Sequence, residues 1–451
     1  MKPFDKLRTR PVLIRGGRII DPAQKTDEIG SMLISEGKIS WLGKGQATPP
    51  KADYDVLNAD GLIVCPGFID LHCHLRQPGF EDKETIATGA QAAARGGFTT
   101  VCCMPNTNPP LDSRKVIEMV KAEAVKSGIV RVLPIGCVSK GRAGKELASL
   151  SELAAAGVVG FSDDGSPVLD TGLMISALRA SLILGLPIID HCEHTGLTEG
   201  GVMNWGNLSM SLGLKGMPAA AEEIMVARDV ALAGMTGGWV HIAHVSTEES
   251  VNIIRQAKKA GVKVTAEVTP HHLTLTEEKV IWGDANAKVN PPLRTEKDVR
   301  ALIQGLKEGV IDIIATDHAP HTTAEKAAGF DKSPPGISGF ETALGSLMGL
   351  VQSGQIDLGL LISKLTSEPA KIIGKKYGEL GTLTIGAAAD ITLFDPDREW
   401  LVDTNNFASK GKNTPLAGSR LKGKVLATIF GGKVVYKDDV ITLEEGKRLK
   451  R

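Results

Sequence analysis

The sequence predicts a (β/α)8 barrel together with a small β-sandwich domain that is built from both ends of the chain. In the middle of the chain, short apolar runs of strand character alternate with longer segments of helical periodicity, which is typical of a parallel sheet. The apolar runs number eight, and eight parallel strands close such a barrel. A doubly wound open sheet is the competing architecture, and it is disfavoured because no G-x-G-x-x-G motif follows any of the runs.

The two ends of the chain share a pattern that differs from that of the middle. Both ends contain short β-type runs joined by glycine turns, and all ten histidines lie in the middle, between residues 72 and 321. We therefore predict that residues 1–65 and 376–440 are the two parts of the β-sandwich domain and that residues 66–375 form the barrel. Residues 441–451 are highly charged and are predicted to be a solvated tail.

The barrel elements are predicted from the order of apolar and helical segments. Several of the helical segments begin near Ser, Thr or Asp and close with Gly, as helix termini do. The predicted strands are 63–69, 99–104, 130–135, 158–161, 187–190, 239–243, 262–268 and 311–315. The predicted helices are 84–95, 113–126, 145–155, 171–185, 219–234, 248–260 and 296–307.

Composition and charge exclude several classes of function. Lys plus Arg and Asp plus Glu number 52 each, and a chain without basic excess is not expected to bind nucleic acid or a membrane surface. No apolar run reaches transmembrane length, and the first residues carry no signal-peptide pattern. The six cysteines form no C-x-x-C pair and stand in apolar contexts, so we expect buried free thiols. These features predict a soluble cytoplasmic protein.

An H-x-H motif marks the end of the first predicted barrel strand. Side chains alternate between the two faces of a strand, so His72 and His74 project from one face, where two neutral imidazoles can bind one metal ion. Cys73 points to the opposite face and is predicted to be inert packing.

Polar residues also follow the later strands at the positions where a barrel places its active site. The carboxyl ends of barrel strands meet at one face, so side chains at those ends are expected to converge. Imidazoles mixed with carboxylates favour Zn²⁺, with Mn²⁺ or Fe²⁺ as alternatives. The residues at these positions are Asn106, Asp163 and Asp164, His191, His244, His271 and His272, and Asp317 with His318.

The same segments resemble dihydroorotases of the long bacterial type (class I), which belong to the amidohydrolase superfamily. The resemblance covers nearly the whole chain, and although single motifs are shared with relatives, the set is specific. The segments that carry it are 67–79, 104–107, 161–165, 190–193, 244–246, 290–294, 316–321, 335–342 and 381–383.

The resemblance implies a set of metal ligands and a catalytic acid–base residue. A first ion would be held by the H-x-H pair, a second by the histidines after the fifth and sixth strands, and Asp164 would bridge them. Many superfamily members bridge with a carboxylated Lys, but residues 160–167 contain none, and Asp163 stays an alternative to Asp164. Asp317 would ligate the first ion and carry the proton. The implied ligands are His72, His74, Asp164, His191, His244 and Asp317.

A substrate with a free carboxylate also requires cationic and amide donors. Arg76 lies two residues beyond His74 on the same alternating face, so it can bind a carboxylate through two N–H groups. The resemblance adds Asn106, Asn290, His321 and the backbone of Pro335 and Gly336. The segment 322–335 is predicted to be a mobile lid or a plain solvated loop.

The implied activity is the zinc-dependent, reversible hydrolysis of the cyclic amide of dihydroorotate to N-carbamoyl-aspartate in pyrimidine biosynthesis, with two Zn²⁺ ions per subunit. Allantoinase and dihydropyrimidinase or hydantoinase are the enzymatic alternatives. A non-catalytic scaffold for aspartate transcarbamoylase is an alternative of another class. A homo-oligomer is expected, and a complex of the active enzyme with aspartate transcarbamoylase is left open.

Overall fold

The computed structural model describes residues 10–47, 49, 53–281 and 283–444, so residues 445–451 of the predicted tail lie outside the described residues. The strands are β1 (Val12–Asp21), β2 (Thr26–Ser35), β3 (Lys38–Lys44), β4 (Asp55–Asn58), β5 (Ile63–Pro66), β6 (Phe68–Cys73), β7 (Phe98–Cys103), β8 (Arg131–Pro134), β9 (Ile188–Asp190), β10 (Met203–Asn204), β11 (Gly216–Met217), β12 (Val240–Ile242), β13 (Val264–Val268), β14 (Ile313–Ile314), β15 (Ile391–Leu401), β16 (Arg420–Phe430), β17 (Lys433–Lys437) and β18 (Leu443–Glu444).

The helices follow the barrel strands, as the sequence predicts. They are α1 (Ile86–Arg95), α2 (Arg114–Ser127), α3 (Leu150–Ala156), α4 (Thr171–Leu184), α5 (Thr195–Thr198), α6 (Asn207–Leu212), α7 (Ala220–Thr236), α8 (Glu248–Lys259), α9 (Pro270–Thr274), α10 (Glu296–Lys307), α11 (Thr323–Lys326), α12 (Phe340–Gln352), α13 (Leu358–Leu365) and α14 (Ser367–Ile373). Short 3₁₀ helices lie at Lys140–Arg142, Glu277–Val280, Ala285–Ala287, Lys375–Tyr377 and Thr404–Asn406.

Parallel strands close the predicted barrel. β6, β7 and β8 pair in parallel, and β9, β12, β13 and β14 form a second parallel group. Phe161 joins the two groups because it bridges to Gly136 on one side and to Ile188 on the other. A bridge between Cys73 and His318 closes the ring. The (β/α)8 architecture is therefore confirmed, with the fourth strand reduced to a single bridging residue.

The helices around the barrel bury one face each. In α10, Thr295 caps the amide of Asp298, and the Asp298 side chain accepts a hydrogen bond from the backbone of Thr295, so two free N–H groups of the first turn are satisfied. Val299, Leu302 and Leu306 lie three or four residues apart on the buried side. Such faces cover the outside of the sheet and hold its strand ends in place.

Strands from both ends of the chain form one nine-stranded sheet. Its order is β17-β16-β15-β5-β1-β2-β3, with β4 paired to β1 and β18 paired to β4. The two ends of the chain meet where β5 pairs with β15, with Ile63 opposite Phe394 and Pro66 opposite Ile391. The sheet has a hydrophobic core separate from that of the barrel. The prediction of a β unit built from both termini is confirmed.

The predicted strand 63–69 is wrong because two strands lie within it. β5 ends at Pro66 in the terminal sheet, and β6 begins at Phe68 in the barrel. Gly67 turns the chain between them at a place where a Cβ atom would lie 2.2 Å from the Oγ1 atom of Thr99. Pro66 and Gly67 are the local sequence signal of this break, which lies next to the predicted domain boundary between residues 65 and 66.

The connection between β15 and β16 leaves the terminal sheet and lies on the barrel. The backbone N–H of Ala408 donates to Glu341 at 2.9 Å, and the Ser409 hydroxyl donates to Glu84 at 2.5 Å. Farther along, the carbonyl of Asn413 accepts from the N–H of Ser338 at 2.8 Å. Part of the C-terminal segment thus reaches the carboxyl end of the barrel.

Two composition-based expectations can be compared with the structure. The six cysteines all lie within the described residues, and each is a buried free thiol, as predicted. Within the described ranges, none of the helices combines the length and the apolar character needed to cross a membrane.

Candidate metal centre

Six side chains converge at the carboxyl end of the barrel. Each stands at or just after a strand, or after the bridging segment that replaces the fourth strand, so the parallel order of the sheet brings them together. All six are at least nine-tenths buried. They are the six predicted ligands His72, His74, Asp164, His191, His244 and Asp317.

The H-x-H pair faces Asp317. The Nε2 atom of His74 lies 3.0 Å from Oδ1 of Asp317, and the Nε2 atom of His72 lies 3.5 Å from the same oxygen. Cys73, between them, points the other way and its thiol donates to the carbonyl of Cys102 at 3.2 Å. The strand alternation expected from the sequence is therefore the geometry that pairs the two imidazoles.

Asp164 lies at the centre of the cluster. Its Oδ1 atom is 3.4 Å from His72 Nε2, 3.6 Å from His244 Nε2 and 3.8 Å from His191 Nδ1. Its Oδ2 atom is 3.5 Å from His74 Nε2. One carboxylate thus faces both pairs of histidines, as a bridging ligand must.

Asp163 has a different environment from its neighbour. Its Oδ1 atom accepts the backbone N–H groups of Val138 and Ser139 at 3.0 and 3.1 Å, and the Ser139 hydroxyl donates to its other oxygen. These bonds hold the loop after the third strand, a role that Asp side chains often take. Of the two adjacent carboxylates, only Asp164 faces the imidazoles.

The chemistry of the cluster fits divalent metal ions. The buried Nε2 atom of His72 and the buried Oδ1 atom of Asp164 have no hydrogen-bond partner among the described residues, although such atoms are costly to leave unsatisfied. Each is a lone-pair donor, and a shared cation would satisfy both. Ligand atoms of His72, His74 and Asp317, and likewise of His72, Asp164 and His244, lie within 4.8 Å of one another.

The two carboxylates of the cluster are held in their charged form. Burial raises the pKa of Asp164, but the neighbouring His72 and His244 outweigh this effect and hold the pKa well below its usual value. Burial also raises the pKa of Asp317, but the hydrogen bond with His74 and the charge of His72 outweigh burial and lower this pKa below its ordinary range. Both groups are therefore carboxylates, the form that can bind a cation.

The predicted substrate residues gather beside the cluster. The Arg76 guanidinium donates from Nε to the carbonyl of Pro320 at 3.2 Å, and its Nη2 atom lies 3.3 Å from Nε2 of His321. The same His321 nitrogen lies 2.9 Å from the carbonyl of Pro335. A Cβ atom on Gly336 would lie 3.1 Å from His321 Nε2, so this backbone passes directly beside the imidazole. Arg76, His321, Pro335 and Gly336 thus form one group.

Comparison with known proteins decides the family. A family model described as dihydro-orotase-like matches residues 61–250. The dihydroorotase of Pelotomaculum thermopropionicum is 52% identical over 431 residues, which cover 95% of this chain and 99% of that relative. The chain belongs to the dihydroorotase family. The dihydroorotase of Aquifex aeolicus is 49% identical over 427 residues, with 95% of this chain and 99% of the relative covered.

Among solved structures, the L-hydantoinase (dihydropyrimidinase) of Arthrobacter aurescens is similar to this chain with a TM-score of 0.85. It covers 97% of this chain, and 98% of its own chain is covered, but only 24% of residues are identical. At this identity the likeness supports the fold alone. The chemistry of this dihydroorotase-family chain depends on the residues of its site.

Glu267 contacts two of the candidate metal ligands of this family member, His72 and His244, although the sequence pattern assigns it no role. Its Oε1 atom lies 2.5 Å from His72 Nδ1, and its Oε2 atom lies 3.1 Å from His241 Nε2. The nearby histidines outweigh burial and lower the pKa of Glu267 to about 2, so it accepts the His72 N–H as a carboxylate and leaves Nε2 free for a metal. The sequence signal for this role of Glu267 is its acidic side chain inside the buried strand β13.

Replacement of Glu267 by Gln is expected to weaken metal binding by about 10- to 100-fold, which is the usual effect of losing such a supporting carboxylate. The Gln side chain offers one oxygen and one NH₂ group, so it can accept from only one of the two imidazoles it contacts. Zinc affinity measured by competition with a chelator of known strength tests this expectation.

Glu222→Gln is the matched control for this variant. Glu222 is also buried and accepts the N–H of Ser246 at 2.9 Å, but it contacts none of the six ligands in the described structure. Its replacement is expected to leave zinc affinity unchanged. Equal zinc affinity in a folded Glu267→Gln variant and the wild type would contradict the assigned role.

The two predicted substrate amides also contact the histidine ligands. The Nδ1 atom of His74 lies 2.9 Å from the side-chain oxygen of Asn106. The Nε2 atom of His191 lies 2.7 Å from Glu193, which also accepts a hydrogen bond from the Nδ2 atom of Asn290 at 2.8 Å. Both amides are thus placed where they can orient an imidazole, and Glu193 is a further residue that the sequence pattern did not assign.

Backbone strain is concentrated at the site. Arg76, His244 and Asp317 have positive φ angles of 61°, 32° and 45°. Residues other than glycine rarely adopt this conformation, and it persists mainly where a functional arrangement requires it. Of the six non-glycine residues with positive φ within the described ranges, three thus lie at the site: one predicted substrate residue and two candidate ligands.

The segment 322–335, predicted as a lid or a solvated loop, is fastened to the neighbouring loop by two lysines. Lys326 donates to the carbonyls of Ala285 and Pro334 at 2.9 and 2.8 Å. Lys288 donates to the carbonyls of Phe330 and Asp331 at 2.9 and 3.0 Å. A cavity of about 460 Å³, lined in part by His321, lies between the two loops.

Proposed function

We propose that this chain hydrolyses the cyclic amide of dihydroorotate reversibly to N-carbamoyl-aspartate, with two zinc ions per subunit. The observation that carries the proposal is the arrangement of six metal-ligand side chains beside a group that can bind a carboxylate. Dihydroorotase relatives that match this chain over nearly its full length support the same activity.

The proposed ligand assignment follows the distances within the cluster. His72, His74 and Asp317 would hold one ion, His191 and His244 the other, and Asp164 both. Imidazole with carboxylate, and no thiolate among the six, suits zinc. When bound, such ions lower the pKa of water towards neutrality and polarise a carbonyl group.

Asp317 is the proposed acid–base residue. His74 holds its Oδ1 atom at 3.0 Å, while Oδ2 makes no hydrogen bond within the described part of the chain. The Oδ2 atom can therefore accept a proton from the attacking water and deliver it to the ring nitrogen as the amide bond breaks. In the synthetic direction the same oxygen returns the proton.

Arg76, together with the neighbouring His321 and Gly336, makes the site prefer an anionic substrate to a neutral one. The half-buried guanidinium carries a fixed positive charge, and His321 with the backbone at Gly336 adds polar contacts next to it. A neutral ring such as that of allantoin or dihydrouracil would leave this charge without a partner, which is costly in a buried site. The group thus favours dihydroorotate over the substrates of the two enzymatic alternatives.

The test is an assay of the purified zinc-loaded protein with dihydroorotate, allantoin and dihydrouracil. We expect kcat/KM for dihydroorotate to exceed that for either neutral ring by at least about 10²-fold, since buried polar groups discriminate strongly against substrates that leave them unpaired. Preference for a neutral ring would overturn the substrate assignment. No turnover of any of them by the zinc-loaded protein would favour the non-catalytic scaffold.

The cytoplasmic location, the homo-oligomer and the complex with aspartate transcarbamoylase stay predictions from the sequence and the family resemblance. The proposed reaction itself requires only the small-molecule substrate and the metal ions.

A further inference from the structure

Asn413 is a buried amide that uses its full hydrogen-bonding capacity. It lies in the connection between β15 and β16 and is 3% exposed. Its Nδ2 atom donates to the carbonyls of Ala319 and Gly336 at 3.0 and 2.9 Å. Its Oδ1 atom accepts the N–H of His321 at 3.0 Å and the hydroxyl of Ser338 at 2.9 Å. These bonds use both donors and both acceptor sites of the amide. They all run to two turns, residues 319–321 and 335–338, which carry His321, Pro335 and Gly336 of the predicted substrate group.

The two turns also bond to each other directly, and His321 Nε2 lies 2.9 Å from the carbonyl of Pro335. The N–H of Ala319 donates to the carbonyl of Ile337 at 2.8 Å. Gly336 has a φ of +142°, and a Cβ atom there would lie 2.7 Å from the Ala319 oxygen. The turns therefore lie in direct contact, and the Asn413 amide, which belongs to a third segment, bonds to both.

The local sequence allows Asn413 to come this close. Gly411 precedes it by two residues, and a Cβ atom at Gly411 would lie 2.5 Å from Pro320 and 2.6 Å from the Ser338 hydroxyl. Only a glycine at this position lets the segment lie against both turns. Arg76 bonds to the carbonyl of the same Pro320 at 3.2 Å, so the segment also lies next to the cationic member of the group.

We propose that Asn413 is a positioning residue for recognition of the substrate carboxylate, acting through His321 and Gly336. The inference rests on the proposed function, because it names the support of the same substrate group. Loss of the two N–H donors would leave the Ala319 and Gly336 carbonyls unsatisfied, and the turns would move apart. The metal ligands do not contact Asn413 in the described structure, so binding should suffer more than chemistry.

The test is Asn413→Asp, which keeps the shape and the accepting oxygen but places a second oxygen against the two carbonyls. We expect KM for dihydroorotate to rise by about tenfold or more, the scale of one lost buried hydrogen bond, while kcat changes less than about threefold. Zinc content should remain that of the wild type. The methyl ester of dihydroorotate, which lacks the negative charge, should be turned over with an unchanged kcat/KM.

Asn204→Asp is the matched control. Asn204 is also a buried amide, and its Nδ2 atom donates to Glu277 at 2.7 Å. It lies outside the predicted substrate group. This variant should leave KM unchanged. If Asn413→Asp does not fold, Asn413→Ser, which leaves room for water, should show a smaller rise in KM. An unchanged KM in the folded variant, or an equal loss for the ester, would overturn the proposal. A wild type without dihydroorotate turnover would refute the proposed function instead.

Discussion

Replacement of Asp317 by Asn is expected to lower kcat for dihydroorotate hydrolysis by about 10³-fold or more, near the upper range for loss of a general acid–base group. The amide has nearly the shape of the carboxylate but cannot accept the proton of the attacking water. The amide oxygen can still occupy the Oδ1 position, 3.0 Å from His74, where it would remain a ligand of the proposed site, so the cluster should keep its shape. The measurement is kcat in both directions, together with zinc content.

Asp312→Asn is the matched control for this experiment. Asp312 directly precedes β14, whereas Asp317 follows it, and Asp312 pairs with Lys258 at 2.7 Å. Its replacement should leave kcat within about twofold of the wild type, since partly exposed ion pairs contribute little. Retention of more than a tenth of the activity by Asp317→Asn with full zinc content would exclude Asp317 as the proton carrier.

Removal of divalent metal is expected to abolish hydrolysis and to lower the melting temperature. Four imidazoles and two carboxylates would then be buried together without the charge that holds them, including the unpartnered atoms of His72 and Asp164. A ligand present at 100 times its Kd stabilises the folded state by about 2.7 kcal/mol, so the loss should be visible in calorimetry. Activity and melting temperature should both return when Zn²⁺ is added after dialysis against a chelator.

His72→Ala and His194→Ala separate a metal effect from general damage. His72 is a ligand of the proposed site, and the variant should regain neither activity nor stability with zinc. His194 precedes α5 and contacts none of the six ligands in the described structure, so its variant should respond to zinc like the wild type. Full activity of the chelated wild-type protein would rule out the metal mechanism.

The barrel could be predicted from the sequence because its physical signals are local. Helices such as α8 and α10 carry their buried face, their capping Thr and their acidic first turn within about a dozen residues. Parallel strands buried on both faces appear as short apolar runs. The predicted domain boundary at residues 65 and 66 lies next to Gly67, but the predicted strand 63–69 ran across it because apolar residues stand on both sides.

The convergence of the six candidate ligands could be predicted because strand ends in a barrel share one face, so polar residues at those ends become neighbours, and the family resemblance selected the six among them. The same reasoning did not separate Asp163 from Asp164, since both follow the same strand. The structure separates them through the backbone N–H groups of Val138 and Ser139, which bind Asp163. A local pattern does not show which loop will supply such donors.

The sequence by itself determined the alternation of strands and helices, the β unit from both termini and the convergence of the six side chains of the candidate metal centre. These follow from periodicity, strand ends and residue chemistry, all of which lie within short segments. Only the tertiary structure decided the support for that centre. Glu267 bonds to a histidine 195 positions away, and Asn413 bonds to His321 across 92 positions. Such contacts exist only after the barrel closes and the connection from the terminal sheet lies upon it, because the free energy of burying a polar group depends on the partners that folding brings to it.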